Sequence, residues 1–257
     1  MNRPAVLLRK EIVESWRTRR LPAVLIMFIA IGLLAPLTAK YLPEIFKAAL
    51  GDQITVPIPT PTAADAVLQL QKNLGQLGAF AAIVLAMNAV AGEKEHGTAA
   101  FVLTKPVRRG AFIGAKLGAL GLVLALAVLA SVVVGWVYTA VLFQPLPVAG
   151  WLALGFLSWL GLAVWAAITF FASTVTGSAA AAAGVGIVAL IVLSLVSAIP
   201  QVGRFLPPAL DGPALALATG NTADLAADTL ATAIGGSVVL LVASSVGAWL
   251  AFRRQEL

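Results

Sequence analysis

Three features of the sequence predict an all-α integral membrane protein with six transmembrane helices and one transmembrane domain covering residues 1–257. The chain is 60% hydrophobic and only 11% charged, where ordinary soluble proteins carry roughly a quarter of their residues as charges. Its mean hydropathy is +0.98. Six apolar runs, at 22–39, 75–91, 117–142, 151–172, 179–199 and 230–251, lack Asp, Glu, Lys, Arg and His throughout. Each approaches or exceeds the roughly 20 residues that a helix needs to cross a hydrocarbon core of about 30 Å.

The segment before the first run, residues 1–21, is basic. Its stretch PAVLLRKEIVESWRTRR places Ala5, Leu8, Ile12 and Trp16 three and four residues apart, the spacing of one apolar helix stripe. Arg9, Arg17 and Arg20 lie elsewhere around it. Such a helix either rests in the membrane interface beside anionic headgroups or serves only to set topology. Pro4 suits a first helical turn, and Pro22 predicts a break before the first span. The first apolar run is too long for a signal-peptide core and lacks a clear A-x-A site, so it is expected to be retained.

Lysines and arginines that remain on the cytoplasmic side set the topology. Thirteen of them fall in the amino-terminal segment, in the loop between spans two and three (92–116) and at the carboxy terminus, against four elsewhere: Lys40, Lys47, Lys72 and Arg204. Both termini and the 92–116 loop are therefore expected in the cytoplasm, with a multi-pass chain in the cell membrane. That distribution accounts for the net charge of +6 without a nucleic-acid partner.

Residues 40–74 form an external segment. The run VPIPTPT cannot be helical throughout. Thr62 and Asp65 then carry the spacing of a capping box, and Ala66, Leu70 and Leu74 share one face of the helix it opens. That helix is expected to pack on the second span or run into it. Spans three and four are joined by the short turn FQPLPVAG, and spans four and five by the uncharged ASTVTGS. Residues 200–229 form a second external segment with four prolines and the acids Asp211, Asp224 and Asp228; no calcium-loop spacing is present. Gly110, Gly114 and Gly118, and Ala180 with Gly184, form small-residue steps that allow close helix approach.

Chemistry-bearing motifs are missing. There is no phosphate-binding loop, zinc-protease motif, nucleophile elbow or dinucleotide fingerprint, no cysteine and no metal-ligand cluster. The spans lack the titratable groups that intramembrane catalysis or ion coupling would use. Energy for any uphill transport is expected from a partner.

The 92–116 loop breaks the apolar pattern with Gly92-Glu93-Lys94-Glu95, then Gly97-Thr98, then Leu103-Thr104-Lys105-Pro106-Val107-Arg108-Arg109, and Lys116 where the next span opens. Together with the amphipathic helix and six spans, this resembles the permease subunits of type 2 ABC exporters, the ABC-2 family, with the layout of its NosY-like branch. The run Phe101-Val102-Leu103 departs from the leucine-rich stretch of that pattern.

The resemblance implies an export permease that works as a dimer with a second copy, carrying a hydrophobic or amphipathic substrate between the two copies. Two cytoplasmic ABC ATPase subunits would supply the energy, with ATP and Mg bound there and no cofactor in this chain. The ATPase-coupling residues would be Glu93, Glu95, His96, Gly97, Thr98, Phe101, Leu103, Pro106, Arg108 and Arg109. It also implies a bacterial plasma (inner) membrane location. Glu93 or Glu95 is expected to pair with Arg17 or Arg20. Asn88, Thr139, Ser158 and Thr169 are the polar span residues expected along a substrate path. Other readings share the topology: a partner-independent channel or scaffold, a sulfur-species transporter for metal-site assembly as in the NosY-like branch, and a lipid-modifying enzyme using the external acids Asp211, Asp224 and Asp228 with Glu44, Asp52 and Asp65.

Overall fold

The computed structural model describes residues 4–50, 60–95, 109–223 and 225–254. Among these are six helices long and apolar enough to cross a membrane. Helix α1 spans Pro4–Arg17 and α2 spans Arg20–Leu50. Helix α3 (Ala63–Asn73) passes through a π-helical turn (Leu74–Gly78) into α4 (Ala79–Met87), and the short α5 covers Ala91–Glu95. Helices α6 (Arg109–Leu142), α7 (Val148–Val175) and α8 (Ala179–Val196) follow. After α9 (Pro200–Gly203), a 3-10 turn (Pro207–Leu210) leads into α10 (Asp211–Thr219), and α11 spans Ala227–Arg253.

Helix α7 is the axis of the bundle. It packs against α4, α6, α8, α10 and α11, and α2 lies along α6. Trp151, Leu154 and Phe170 of α7 are fully buried with Phe28 of α2, Leu70 and Leu74 from the second span, and Leu124 of α6. Helices α8 and α11 are the least buried spans. Their exposed Val185, Val188, Ile191, Val239 and Val242 are compatible with lipid, which is as apolar as a protein core.

Backbones approach closely where side chains are absent. A Cβ on Gly32 of α2 would collide with the backbone carbonyl of Ser131 of α6. Opposite, a Cβ on Gly135 would lie 3.4 Å from the Gly32 carbonyl. Pro36, one turn further along α2, has no N–H to give that carbonyl, so this crossing combines a proline and facing glycines. Gly110 and Gly118 pack within the chain, near Trp249 and Leu8, whereas Gly114 and Gly184 are open.

The capping box forms as its spacing predicts. The Thr62 hydroxyl accepts from the Asp65 N–H and the Asp65 carboxylate accepts from the Thr62 N–H. The helix it opens continues into the second span, and Ala66, Leu70 and Leu74 are all buried.

Elsewhere the structure shifts the expected boundaries. Helix α2 runs on to Leu50, beyond the part long and apolar enough to cross a membrane, Arg20–Leu42. The break between α1 and α2 falls at Thr18 and Arg19, before Pro22; Arg19 takes a left-handed backbone with φ 59°. Pro22 sits in the first turn of α2, where a missing donor costs no helical bond. The predicted stripe on α1 divides. Leu8 and Ile12 are half-buried, while Ala5 and Trp16 are exposed, Trp16 at 62%.

Candidate coupling site

The second span ends in a break. Helix α4 stops at Met87 and α5 begins at Ala91, leaving backbone groups between them without helical partners. Ser173, fully buried on α7, satisfies three at once. Its hydroxyl accepts from the N–H groups of Val90 (3.1 Å) and Ala91 (2.9 Å) and donates to the Met87 carbonyl (2.8 Å). A buried polar group is stable only when so partnered, so this hydroxyl fixes the angle at which α5 leaves the bundle.

Helix α5 is then tied to both sides of the α7–α8 turn. Lys94 Nζ donates to the Thr174 carbonyl at 2.6 Å, at the negative end of α7. Glu95 Oε1 accepts from the Ala179 N–H at 3.1 Å, at the positive end of α8, beside the Ser178 cap that holds the Ala181 N–H. Two consecutive residues of opposite charge thus meet two helix ends of matching opposite polarity.

Glu93 turns the other way. Its Oε1 lies 2.7 Å from Lys116 Nζ of α6, and the same ammonium lies 3.1 Å from Glu11 of α1. Lys116 is 5% exposed and also stands over the Phe112 ring, 5.1 Å from its centroid. Lys10 extends the chain of charges, 3.4 Å from both Glu11 and Glu14. Lys116 lies seven residues into α6, roughly 10 Å along its axis, near the helix end and away from mid-span. The link from α5 to the amphipathic helix therefore runs through Lys116 to Glu11, and not through the exposed Arg17 or Arg20. An acid bridged by a lysine of the next span replaces the expected direct pair.

Next to this network lies a cavity of about 340 Å³ lined by Glu11, Glu14, Arg20, Asn88, Glu93 and Lys116. Across the bundle, Arg109 at the start of α6 donates to the carbonyls of Phe252 (3.3 Å) and Arg253 (2.9 Å), capping the end of α11. Phe112 stacks on Phe252 with ring centroids 5.4 Å apart.

Of the residues singled out by sequence, Glu93, Glu95 and Arg109 are positioned by these contacts. His96, Gly97, Thr98, Phe101, Leu103, Pro106 and Arg108 lie outside the described residues. Arg9, Arg17 and Arg20 are exposed on α1 and at the start of α2. The four polar span residues do not converge. Asn88 lines the cavity beside Lys116, Ser158 lines another at the opposite end, and Thr139 and Thr169 are buried inside the bundle. Sequence reasoning left Glu11, Lys94, Ser173 and Thr174 out of the site. Glu11 had a signal, lying three residues after Leu8 and next to Ile12 on the face that packs inward; Ser173 had none.

Six spans and a charged segment anchored at both ends define a multi-pass membrane protein. The family model described as ABC-2 family transporter protein matches residues 5–256, and the chain belongs to that family, as a membrane permease of an ABC transporter. It is also 29% identical over 208 residues to YxlG of Bacillus subtilis (strain 168), described as an uncharacterized transmembrane protein, across 78% of this chain and 79% of the relative.

Proposed function

We propose that the chain is the permease of an ATP-driven exporter, acting as a dimer that carries a hydrophobic or amphipathic substrate between its two copies. Two copies of a separate cytoplasmic ATPase, with ATP and Mg, drive it through the segment 96–108. Both termini and this segment face the cytoplasm of a bacterial cell. The observation that supports this reading is the pair of anchors flanking the segment. Entry through α5 is fixed to α1, α6 and the α7–α8 turn, and exit at Arg109 is fixed to the end of α11. A push on a segment held this way reaches five helices, because packed elements shift between discrete arrangements and do not deform continuously.

The test is copurification with the ATPase and stimulation of its hydrolysis after reconstitution. Phe101→Asp and Leu103→Asp place charges on the apolar part of the segment and are expected to abolish both without lowering the melting temperature. Full binding and stimulation by both variants would overturn the docking assignment.

A further inference from the structure

At the end of the bundle opposite α1, a cavity of about 260 Å³ opens between α3, the π-helical turn, α7, α8 and the turn leading to α10. The widened turn lies at its rim. Gly75 and Gln76 line the cavity, and a Cβ on Gly75 would meet nothing within 4 Å. Single π turns inside α-helices recur at functional sites.

The polar side chains at this cavity centre on Gln71 and Asp211. Gln71 is only 5% exposed, and its amide donates to the Asp211 carbonyl (2.8 Å) and to Asp211 Oδ1 (3.2 Å). Its own carbonyl oxygen, Oε1, is buried without a hydrogen-bond donor. Leaving such a group unpartnered costs about 1–3 kcal/mol. Asp211 has a neutral amide against it and, among the described residues, no ion pair. Asp211 is an exposed residue that lines the cavity, and partial burial of its carboxyl pushes it up to about 6 against the Gln71 hydrogen bond, which lowers it. Ser158 and Ser194 add hydroxyls, and Trp165 and Leu162 add apolar wall.

Charged groups on the elements packed against α10 are few. On α3, Lys72 lines the same cavity at the exposed surface, and Asp65 faces an adjoining cavity beside Gly212. Helix α7 and the 3-10 turn carry none.

We propose that this cavity binds the organic ammonium group of an amphipathic molecule, with Asp211 as counter-ion and the apolar tail along Leu162 and Trp165. A carboxylate lacking a cation partner repels anions and is stabilised by a cation. An aromatic wall adds attraction to ammonium groups. Binding here stands apart from ATPase docking at the other end, so it is measured on the permease alone.

The test is calorimetric titration of the full chain in neutral maltoside micelles with hexyltrimethylammonium, whose charge is constant with pH. Saturable binding is expected at pH 7.5, about tenfold weaker at pH 5, where only the ionised fraction of Asp211 competes. Asp211→Asn is expected to weaken binding at least tenfold at pH 7.5 and remove the pH dependence. Ser194→Leu, which narrows the cavity without touching the carboxylate, is expected to weaken binding at both pH values. Competition by phosphatidylcholine but not phosphatidylglycerol would identify a lipid headgroup as the occupant; no competition would identify a free amphiphile. Absence of binding by the wild type, equal binding of hexyl sulfate, or full binding by both folded variants would overturn the proposal.

Discussion

Lys94 donates to the carbonyl of Thr174 at 2.6 Å while its neighbour Glu95 accepts from the N–H of Ala179 at 3.1 Å. The two residues therefore span the end of one helix and the start of the next with charges of the favourable sign at each. Exchanging them, as Lys94→Glu with Glu95→Lys, keeps the net charge but puts each charge at the wrong helix end. Each such contact is worth roughly 0.3–1 kcal/mol, so folding is expected to survive while stimulation of the ATPase falls. Stimulation equal to wild type, measured with matched protein levels, would remove the helix-end polarity from the account.

The Lys116 bridge gives a sharper stability test. Lys116→Met removes the buried ammonium that lies between Glu11 and Glu93. Removing one member of a buried ion pair costs about 3–5 kcal/mol. The triple variant with Glu11→Gln and Glu93→Gln is expected to recover much of that loss, because the two carboxylates that faced the lost ammonium no longer repel each other. Thermal melts of the purified permease in detergent compare the three proteins directly.

Glycine positions separate helix contacts from open surface. Gly32→Ala places a methyl against the Ser131 backbone and is expected to destabilise by about 1–3 kcal/mol. Gly184→Ala meets nothing within 4 Å and should be neutral or slightly stabilising in the isolated chain. If Gly184→Ala disrupts dimers while leaving the monomer intact, that surface is a contact between copies.

Asp211 predicts a pH dependence of stability. Its carboxyl is raised from 3.8 to about 6, so between those values the folded chain holds a proton that the unfolded chain has released. Stability contributed by this group is full below the unfolded value and falls as pH rises through the window, with the loss complete above about 6. Asp211→Asn is expected to flatten this part of the melting-temperature profile and to raise the melting temperature near pH 7. A slope that persists in the variant would assign the titration to another group.

Much of the fold was legible from local patterns. Apolar run length predicted the spans because each must cross the same thickness. The Thr62 and Asp65 spacing predicted a helix start because a capping box is closed within four residues. The break before the first span was misplaced because Pro22 permits a boundary nearby without choosing it; Arg19 took the left-handed conformation.

The coupling site was only partly legible. Glu93, Glu95 and Arg109 stood out as charges in a loop between apolar runs, but their partners are distant in sequence. Lys94 meets Thr174, Lys116 meets Glu11, and Arg109 meets Arg253. The expected pairing with Arg17 used the right helix and the wrong sign, since one helical turn decides which of its charges faces inward; Arg20 already belongs to the next helix.

By itself, the sequence determined the class of protein, the number of spans and the place where charge gathers, because bilayer thickness and the energetics of charge in lipid act on local composition. The tertiary structure alone decided that Ser173 closes the helix break, that Lys116 joins two acids, and that Gln71 and Asp211 face one cavity. Those relationships depend on rotation and depth of packed helices, set mostly by contacts between residues that lie 80 or more positions apart, such as Ala91 with Ser173, Glu11 with Lys116 and Gln71 with Asp211.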